Sequence, residues 1–228
     1  MTNKFKFENI DDFDRHIDLS IPNYQTLNSI FTSITKEFAQ PDSTVIDLGC
    51  STGRFLSSLP KIEECRYVGI DTIAMQTHEG FEFIQGDCAE WLERHKKGIR
   101  LIFDNNVSVI VAMFFLQFLG LNKRKRVLKL IKYFIEKGAV FLVAEKVYLN
   151  DSRLQTLIHR MHIQNKRKGF TDKEILDKDE QLSISMFCQT EYNLEKELKD
   201  LGMVSKVWQS YNFMGYVIQN KEQKNECK

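Results

Sequence analysis

Five short apolar runs, Thr44–Leu48, Tyr67–Asp71, Phe81–Gln85, Val107–Ala112 and Ala139–Ala144, recur along the chain with amphipathic segments between them. A strand that is apolar at nearly every residue, rather than at every second one, has to be covered on both faces. Thr52–Ser58, Ala89–Lys97 and Lys123–Glu136 read as the covering helices. The alternation predicts a doubly wound α/β sheet whose first five strands run parallel. The stretch "GMVSKVWQSYNFMGYVIQ" alternates and folds back on itself, which predicts a C-terminal antiparallel hairpin. The expected fold is therefore Rossmann-like, with a seven-stranded, mostly parallel sheet. Before the sheet, Leu27, Ile30, Phe31, Ile34 and Phe38 stand at helical spacing; after it, a polar helical insertion is expected over about 151–201. With only 3 Pro and no repeat or linker-like tract, 1–220 is expected to form one domain and 221–228 a tail.

Charge narrows the partners. The 32 basic and 31 acidic side chains nearly cancel, so no bulk field gathers nucleic acid or membrane, and an RNA partner would have to use a local patch. Cys50, Cys65, Cys88, Cys188 and Cys227 form no CxxC pair, which speaks against a zinc site or a disulfide framework. No apolar run reaches spanning length, and the charged start "MTNKFKFENIDDFD" does not read as a signal peptide. A soluble, cytoplasmic protein with no metal and no membrane contact is expected.

The chemistry gathers at "VIDLGCSTG". In an open α/β sheet ligands settle at the carboxyl ends of the strands, where strand order reverses. Gly49 and Gly53 allow a tight turn and a close approach of the backbone. Asp47, at the end of the first strand, can hold a cationic amine. The second strand ends at Asp71, with Thr72 beside it, where a carboxylate can accept from both hydroxyls of a ribose. The third leads to Asp87 and Cys88, a carboxylate and a backbone N–H suited to an adenine edge. Asp71 and Asp87 each also suit a helix N-cap. A dinucleotide site would read GxGxxG and present amides to a pyrophosphate; an acid two residues before the first glycine is wrong for that and right for an ammonium. An amine, a ribose and an adenine together describe S-adenosyl-L-methionine (SAM).

"VIDLGCSTG", "GID" and "GDCAEW" resemble the class I SAM-dependent methyltransferases. "SIPNYQTL", "FFLQFL", "AEKV", "MHIQNKRKGFTDKEI" and "LGMVSKVWQSYNFMGYV" are similar to the carboxy-S-adenosyl-L-methionine (carboxy-SAM) synthases, over about Phe13 to Val217. That family converts SAM, with prephenate as carboxyl source, into a donor for wobble-uridine modification in tRNA. The resemblance implies a homodimer. It also implies that Tyr24 touches the cofactor, that Gly49, Cys50 and Ser51 line its methionine side, and that Asp71, Asp87 and Cys88 hold the nucleoside. Three departures stand out. Met113 takes the place of an asparagine, Glu197 takes the place of an arginine that grips the added carboxylate, and the segment between Asp71 and Phe81 is short. A guanidinium exchanged for a carboxylate removes a bidentate partner and adds repulsion; Lys196 or Lys199 could replace it only as a point charge.

Three readings follow: a SAM-dependent methyltransferase acting on a small molecule or in a tRNA pathway, a carboxy-SAM synthase, and a non-catalytic SAM-fold binding or scaffold protein. Methyl transfer needs alignment and exclusion of water rather than a nucleophile, so no catalytic side chain is assigned. The segment "AMFFLQFLG" offers Gln117 as its one polar side chain, and Phe114, Phe115 and Phe118 suit a core as well as a substrate wall. It lacks the Asn/Asp-Pro-Pro-aromatic signature of nucleobase amine methylation. His159 and His162 are spaced to share a helix face, and Lys123–Arg126 and Lys166–Lys168 are basic runs; solvated helix surface is the plainer reading of each. Cys50 reads as a small packing residue.

Overall fold

The computed structural model describes residues 13–73, 80–97 and 106–221. Two helices, α1 (Phe13–Ser20) and α2 (Tyr24–Phe38), lead into the sheet. Its strands are β1 (Ser43–Leu48), β2 (Arg66–Asp71), β3 (Glu82–Gln85), β4 (Asn106–Met113), β5 (Val140–Tyr148), the two-residue β6 (Gln189–Thr190), β7 (Met203–Ser210) and β8 (Phe213–Gln219). Between them lie α3 (Arg54–Ser57), α4 (Cys88–Lys96), α5 (Leu121–Glu136), α6 (Ser152–Lys166), α7 (Asp172–Ser185) and α8 (Glu191–Lys199). The strand order is β3-β2-β1-β4-β5-β8-β7, with β6 paired to β5 off this path. The first five strands are parallel, and β8 runs antiparallel to both β5 and β7.

Both faces are covered, as the apolar strands require. Ile46, Leu48, Val68, Ile70, Ile110 and Phe141 pack with Leu92 of α4, Ile131 and Phe134 of α5 and Leu198 of α8. Their neighbours Val45, Tyr67, Val109, Val111 and Leu142 point the other way, onto Leu27 and Phe31 of α2 and Phe55 and Leu56 of α3. The pleat sends alternate residues to opposite faces. Each fully buried aliphatic side chain contributes about 1.5–3 kcal/mol.

The expected elements differ from the observed ones mainly at their ends. The first crossover helix is a single turn over Arg54–Ser57, because Ser51 and Gly53 take left-handed φ values of 48° and 71° and delay its start. β5 runs on to Tyr148, where β6 and β8 supply edges to pair with. The expected stretch 151–201 is three helices, broken at Arg167–Thr171, where Thr171 and Glu174 form a capping box, and again at Met186–Thr190. Part of the short segment after Asp71, and nearly all of the expected tail, lie outside the described residues. Among the described residues, no helix is long and apolar enough to cross a membrane, and no group of His, Cys, Asp and Glu is placed to hold a metal.

Candidate functional site

A cavity of about 530 Å³ opens at the carboxyl ends of β1, β2 and β4, the place where β1 sits between neighbours reached in opposite directions. Volumes of ~300–1,000 Å³ are usual for small-molecule clefts. Nine of the eleven residues expected to touch the cofactor stand on its wall: Tyr24, Asp47, Gly49, Cys50, Ser51, Asp71, Thr72, Cys88 and Met113. Gly53 and Asp87 stand behind it.

The turn after β1 is fixed by backbone bonds and close packing. Gly49 and Cys50 N–H groups reach the Ile70 carbonyl, at 2.8 and 3.3 Å, tying the turn to the end of β2. Gly49 has φ 72°, and a Cβ there would lie 2.3 Å from the Phe115 ring. A Cβ on Gly53 would lie 2.1 Å from Phe81. Gly53 therefore holds the turn from behind the cavity wall. Ser51 and Phe114, both on the cavity wall, also have positive φ, 48° and 55°, at a cost of about 1–2 kcal/mol each. Cys50 is buried and its Sγ packs on Gly69, as expected of a small packing residue.

The three acids differ sharply in surroundings. Asp47 is only 3% exposed, and no hydrogen bond or ion pair reaches its carboxylate among the described residues. Burial, and then the nearby charge of Asp71, push its pKa up to about 8. A buried carboxylate without a counter-charge is costly, so the floor of the cavity favours a cation. Asp71 accepts from Ser51 N through Oδ2 (2.9 Å) and from Ile73 N through Oδ1 (3.0 Å), leaving lone pairs on both oxygens toward the cavity. Asp87 is the N-cap of α4: Oδ1 accepts from Ala89 N and Glu90 N, and Oδ2 pairs with Lys123 Nζ at 2.6 Å. Burial works against its charge, but Lys123 and the two amides outweigh that and hold its pKa below the usual range.

α1 roofs the turn. Arg54 donates to both oxygens of Asp18, at 3.0 and 3.1 Å, and lies over the Tyr24 ring, while Thr52 Oγ1 donates to Asp14 at 2.7 Å. Nothing in the spacing of Asp14, Asp18 and Arg54 signals this strap, because the partners are 36 and 38 positions apart.

Each basic run has one buried member, Arg124 and Lys166, while Lys125, Arg126, Arg167 and Lys168 are exposed as expected of helix surface. In the first, Lys123 pairs with Asp87, Arg126 with Glu93, and Arg124 is buried between Glu145 and Glu197. Glu197, expected to repel an anion in the site, lies outside the cavity wall with its charge matched by Arg124. In the second run Lys166 is buried in the cavity wall. His162 is buried too, its Nε2 donating to the Ser20 carbonyl at 2.6 Å; His159 is exposed and does not share its surroundings. Phe114, Phe115 and Phe118 line the cavity, and Gln117 is pinned by accepting from Lys146 N.

The FtsJ-like methyltransferase family matches residues 31–217. The chain belongs to it. This FtsJ-like protein is similar to the carboxy-S-adenosyl-L-methionine synthase of Idiomarina loihiensis, 30% identical over 209 residues, 88% of this chain and 86% of the relative. It is also similar to that of Hydrogenovibrio crunogenus, 27% identical over 217 residues, 90% and 84% of the two chains. In fold it is similar to N-methyltransferase NodS of Bradyrhizobium japonicum, solved with S-adenosylhomocysteine, with TM-score 0.53 at 12% identity over 94% of each chain. The FtsJ-like protein is thus a SAM-dependent transferase related to carboxy-SAM synthase, and SAM is its cofactor. The cavity suits that cofactor: a buried, unmatched carboxylate at one end, a half-exposed one at the mouth, and apolar walls between.

Proposed function

We propose that this chain transfers the methyl group of SAM to a small acceptor bound in the same cavity. Asp47 meets the ammonium; Tyr24, Gly49, Cys50 and Ser51 flank the methionine part. Asp71 accepts from the ribose hydroxyls, with Thr72 beside it. The Cys88 amide reads the adenine, Asp87 positions that amide from behind the wall as the cap of α4, and Met113 closes the inner wall. Gly53 acts by shaping the turn. When bound, SAM supplies a methyl group on positively charged sulfur. The chain aligns the acceptor and excludes water with Phe114, Phe115 and Phe118, and needs no nucleophile of its own. Cytoplasmic placement goes with the four cysteines among the described residues being free, and 1–220 is read as one catalytic unit, paired as a homodimer on the likeness to the synthases.

One observation carries the choice of methyl over carboxyl chemistry. Glu197 sits where the synthases resembled have their carboxylate-gripping arginine, and its oxygen is committed to Arg124 outside the cavity. A second reading, carboxy-SAM formation feeding tRNA wobble modification, is favoured by the names of the relatives. Incubating the purified protein with SAM and prephenate and weighing the nucleoside products separates the two. S-adenosylhomocysteine formed only when an acceptor is added supports methyl transfer; a carboxylated SAM adduct overturns it.

A further inference from the structure

The two ends of α1 are fastened differently. At its C-terminal end Ser20 is buried; its carbonyl accepts from His162 Nε2 at 2.6 Å and its Oγ from Lys178 Nζ at 2.9 Å. The chain then turns at Asn23, whose φ of 60° is left-handed, a region asparagine tolerates. Asn23 Nδ2 donates to Ser210 Oγ at 3.1 Å and fixes the turn. Midway along the helix, His16 meets Lys178 and stands edge-on to the Phe170 ring. Ser20 is the one buried residue of the eight in α1, whereas α2, just past the turn, buries Tyr24, Leu27, Phe31 and Thr35.

The N-terminal half is tied to the turn after β1. Thr52 Oγ1 donates to Asp14 at 2.7 Å, and Arg54 donates to both oxygens of Asp18 and, at 3.3 Å, to the Asp14 carbonyl. The Arg54 and Asp18 side chains keep 25% and 30% of their surface in water. Ion pairs so exposed are weak, because water competes for both charges, and a helix of two turns is marginal alone. Elements held by few buried apolar contacts and by partly exposed polar ones are those that open locally. Yet this half covers the site: Phe13, Asp14 and Ile17 line the cavity together with Asp47 and Ser51, and Arg54 lies 5.1 Å from the centroid of the Tyr24 ring.

We infer that α1 is a lid over the donor, pivoting at Asn23 and latched by Arg54 and Thr52, and that the opening of this latch sets the rate of donor exchange. The inference rests on the SAM placement proposed above, in which a donor seated on Asp47 lies beneath α1. Arg54 and Asp18 are positioning residues: they hold the lid and do not touch the reacting atoms. Every group of the latch belongs to the chain, so it closes over an empty and a filled cavity alike. Weakening it therefore speeds entry and exit together.

The test follows S-adenosylhomocysteine binding by stopped flow in the parent, in Asp18→Asn, in Arg54→Gln, and in the exchanged pair Asp18→Arg with Arg54→Asp. Each single variant should raise both the association and the dissociation rate constants at least fivefold while Kd stays within threefold. The exchanged pair should bring both rates back toward the parent. Loss of an ordinary wall contact would instead raise dissociation alone and weaken Kd to match. That one-sided pattern, unchanged rates in both single variants, or an exchanged pair no slower than either single variant overturns the lid. Failure of S-adenosylhomocysteine to bind the parent would overturn the cofactor placement, and hydrogen exchange then decides the latch. Amides of α1 should exchange at least tenfold faster in Asp18→Asn than in the parent, while those of α2 keep their rate; equal exchange in α1 overturns it.

Discussion

Arg124 donates both Nε and Nη2 to a single carboxylate oxygen of Glu197, at 3.0 and 2.7 Å, while its Nη1 reaches Glu145 at 2.9 Å. Gln189 also donates to that Glu197 oxygen, at 3.0 Å. One buried guanidinium thus fastens α8 and β5 to α5. Restoring an arginine at position 197 would set two guanidinium groups against each other. Glu197→Arg should therefore destabilise the fold by about 3–5 kcal/mol, a fall of roughly 10 °C in Tm for a domain of this size. Glu197→Gln, which keeps an acceptor, should cost less. An unchanged Tm in Glu197→Arg would show that Arg124 does not depend on this partner.

Asp47 sets function against stability. Its pKa is raised to about 8 by burial and then by Asp71, against about 3.9 in the unfolded chain. Between those values the folded state holds a proton that the unfolded state has lost. Stability from this group is complete below about pH 4 and falls as pH rises toward 8, by up to about 1.4 kcal/mol per unit. Asp47→Asn should remove that slope: its Tm advantage over the parent, measured without ligand, should widen from pH 5 to pH 8. The same variant should lose at least tenfold in affinity for S-adenosylhomocysteine. A constant Tm difference across this range would mean that Asp47 is ionised throughout.

Asp71 supports the turn as well as facing the ligand. Asp71→Ala should weaken S-adenosylhomocysteine binding by about 1–3 kcal/mol through lost hydrogen bonds, and should also loosen the Ser51 and Ile73 amides it now holds. Asp71→Asn keeps one acceptor for those amides. Its amide nitrogen would face the other N–H, so it should melt below the parent and bind the ligand more weakly. If the two variants bind equally well as the parent, the ribose does not lie at the end of β2.

Gly49 and Phe115 form a pair in which one fills the space that the other leaves. Gly49→Ala would place a methyl group 2.3 Å from the Phe115 ring at a left-handed φ. A loss of more than about 2 kcal/mol is expected, from strain together with overpacking. Adding Phe115→Ala should recover the overpacking part but not the backbone part. Full recovery in the double variant, read by urea unfolding, would show that φ contributes nothing.

The sheet was legible because burial on both faces leaves a local mark: β1, β2, β4 and β5 are mostly apolar, while the edge strand β3, half polar and unburied, carries it only weakly. Asp47, Asp71 and Cys88 were legible because topology alone places strand ends at the crevice. Asp87 was half legible; its position fits both an adenine contact and a helix cap, and in the fold it caps α4 while pairing with Lys123. What the chain concealed depends on distant partners. Lys166 and His162 look like surface in a polar helix, but α1, whose Ser20 lies 142 positions from His162, and the rings of Tyr211 and Phe213 close over that face. Arg124 looks like one member of a basic run until Glu145 and Glu197 close on it. Glu197 was misjudged for the same reason: comparing it with an arginine says what is missing, not which neighbour has claimed it.

The place of β8 carries a consequence for how this chain is made. The long inner margin of β5 stays bare until residues 213–219 emerge from the ribosome, 67 to 77 positions after their partners in synthesis. Nascent or truncated molecules would expose that unpaired backbone next to apolar residues such as Leu142 and Ala144, an invitation to aggregate. Chaperone demand should therefore concentrate on chains cut short between α8 and the final strand.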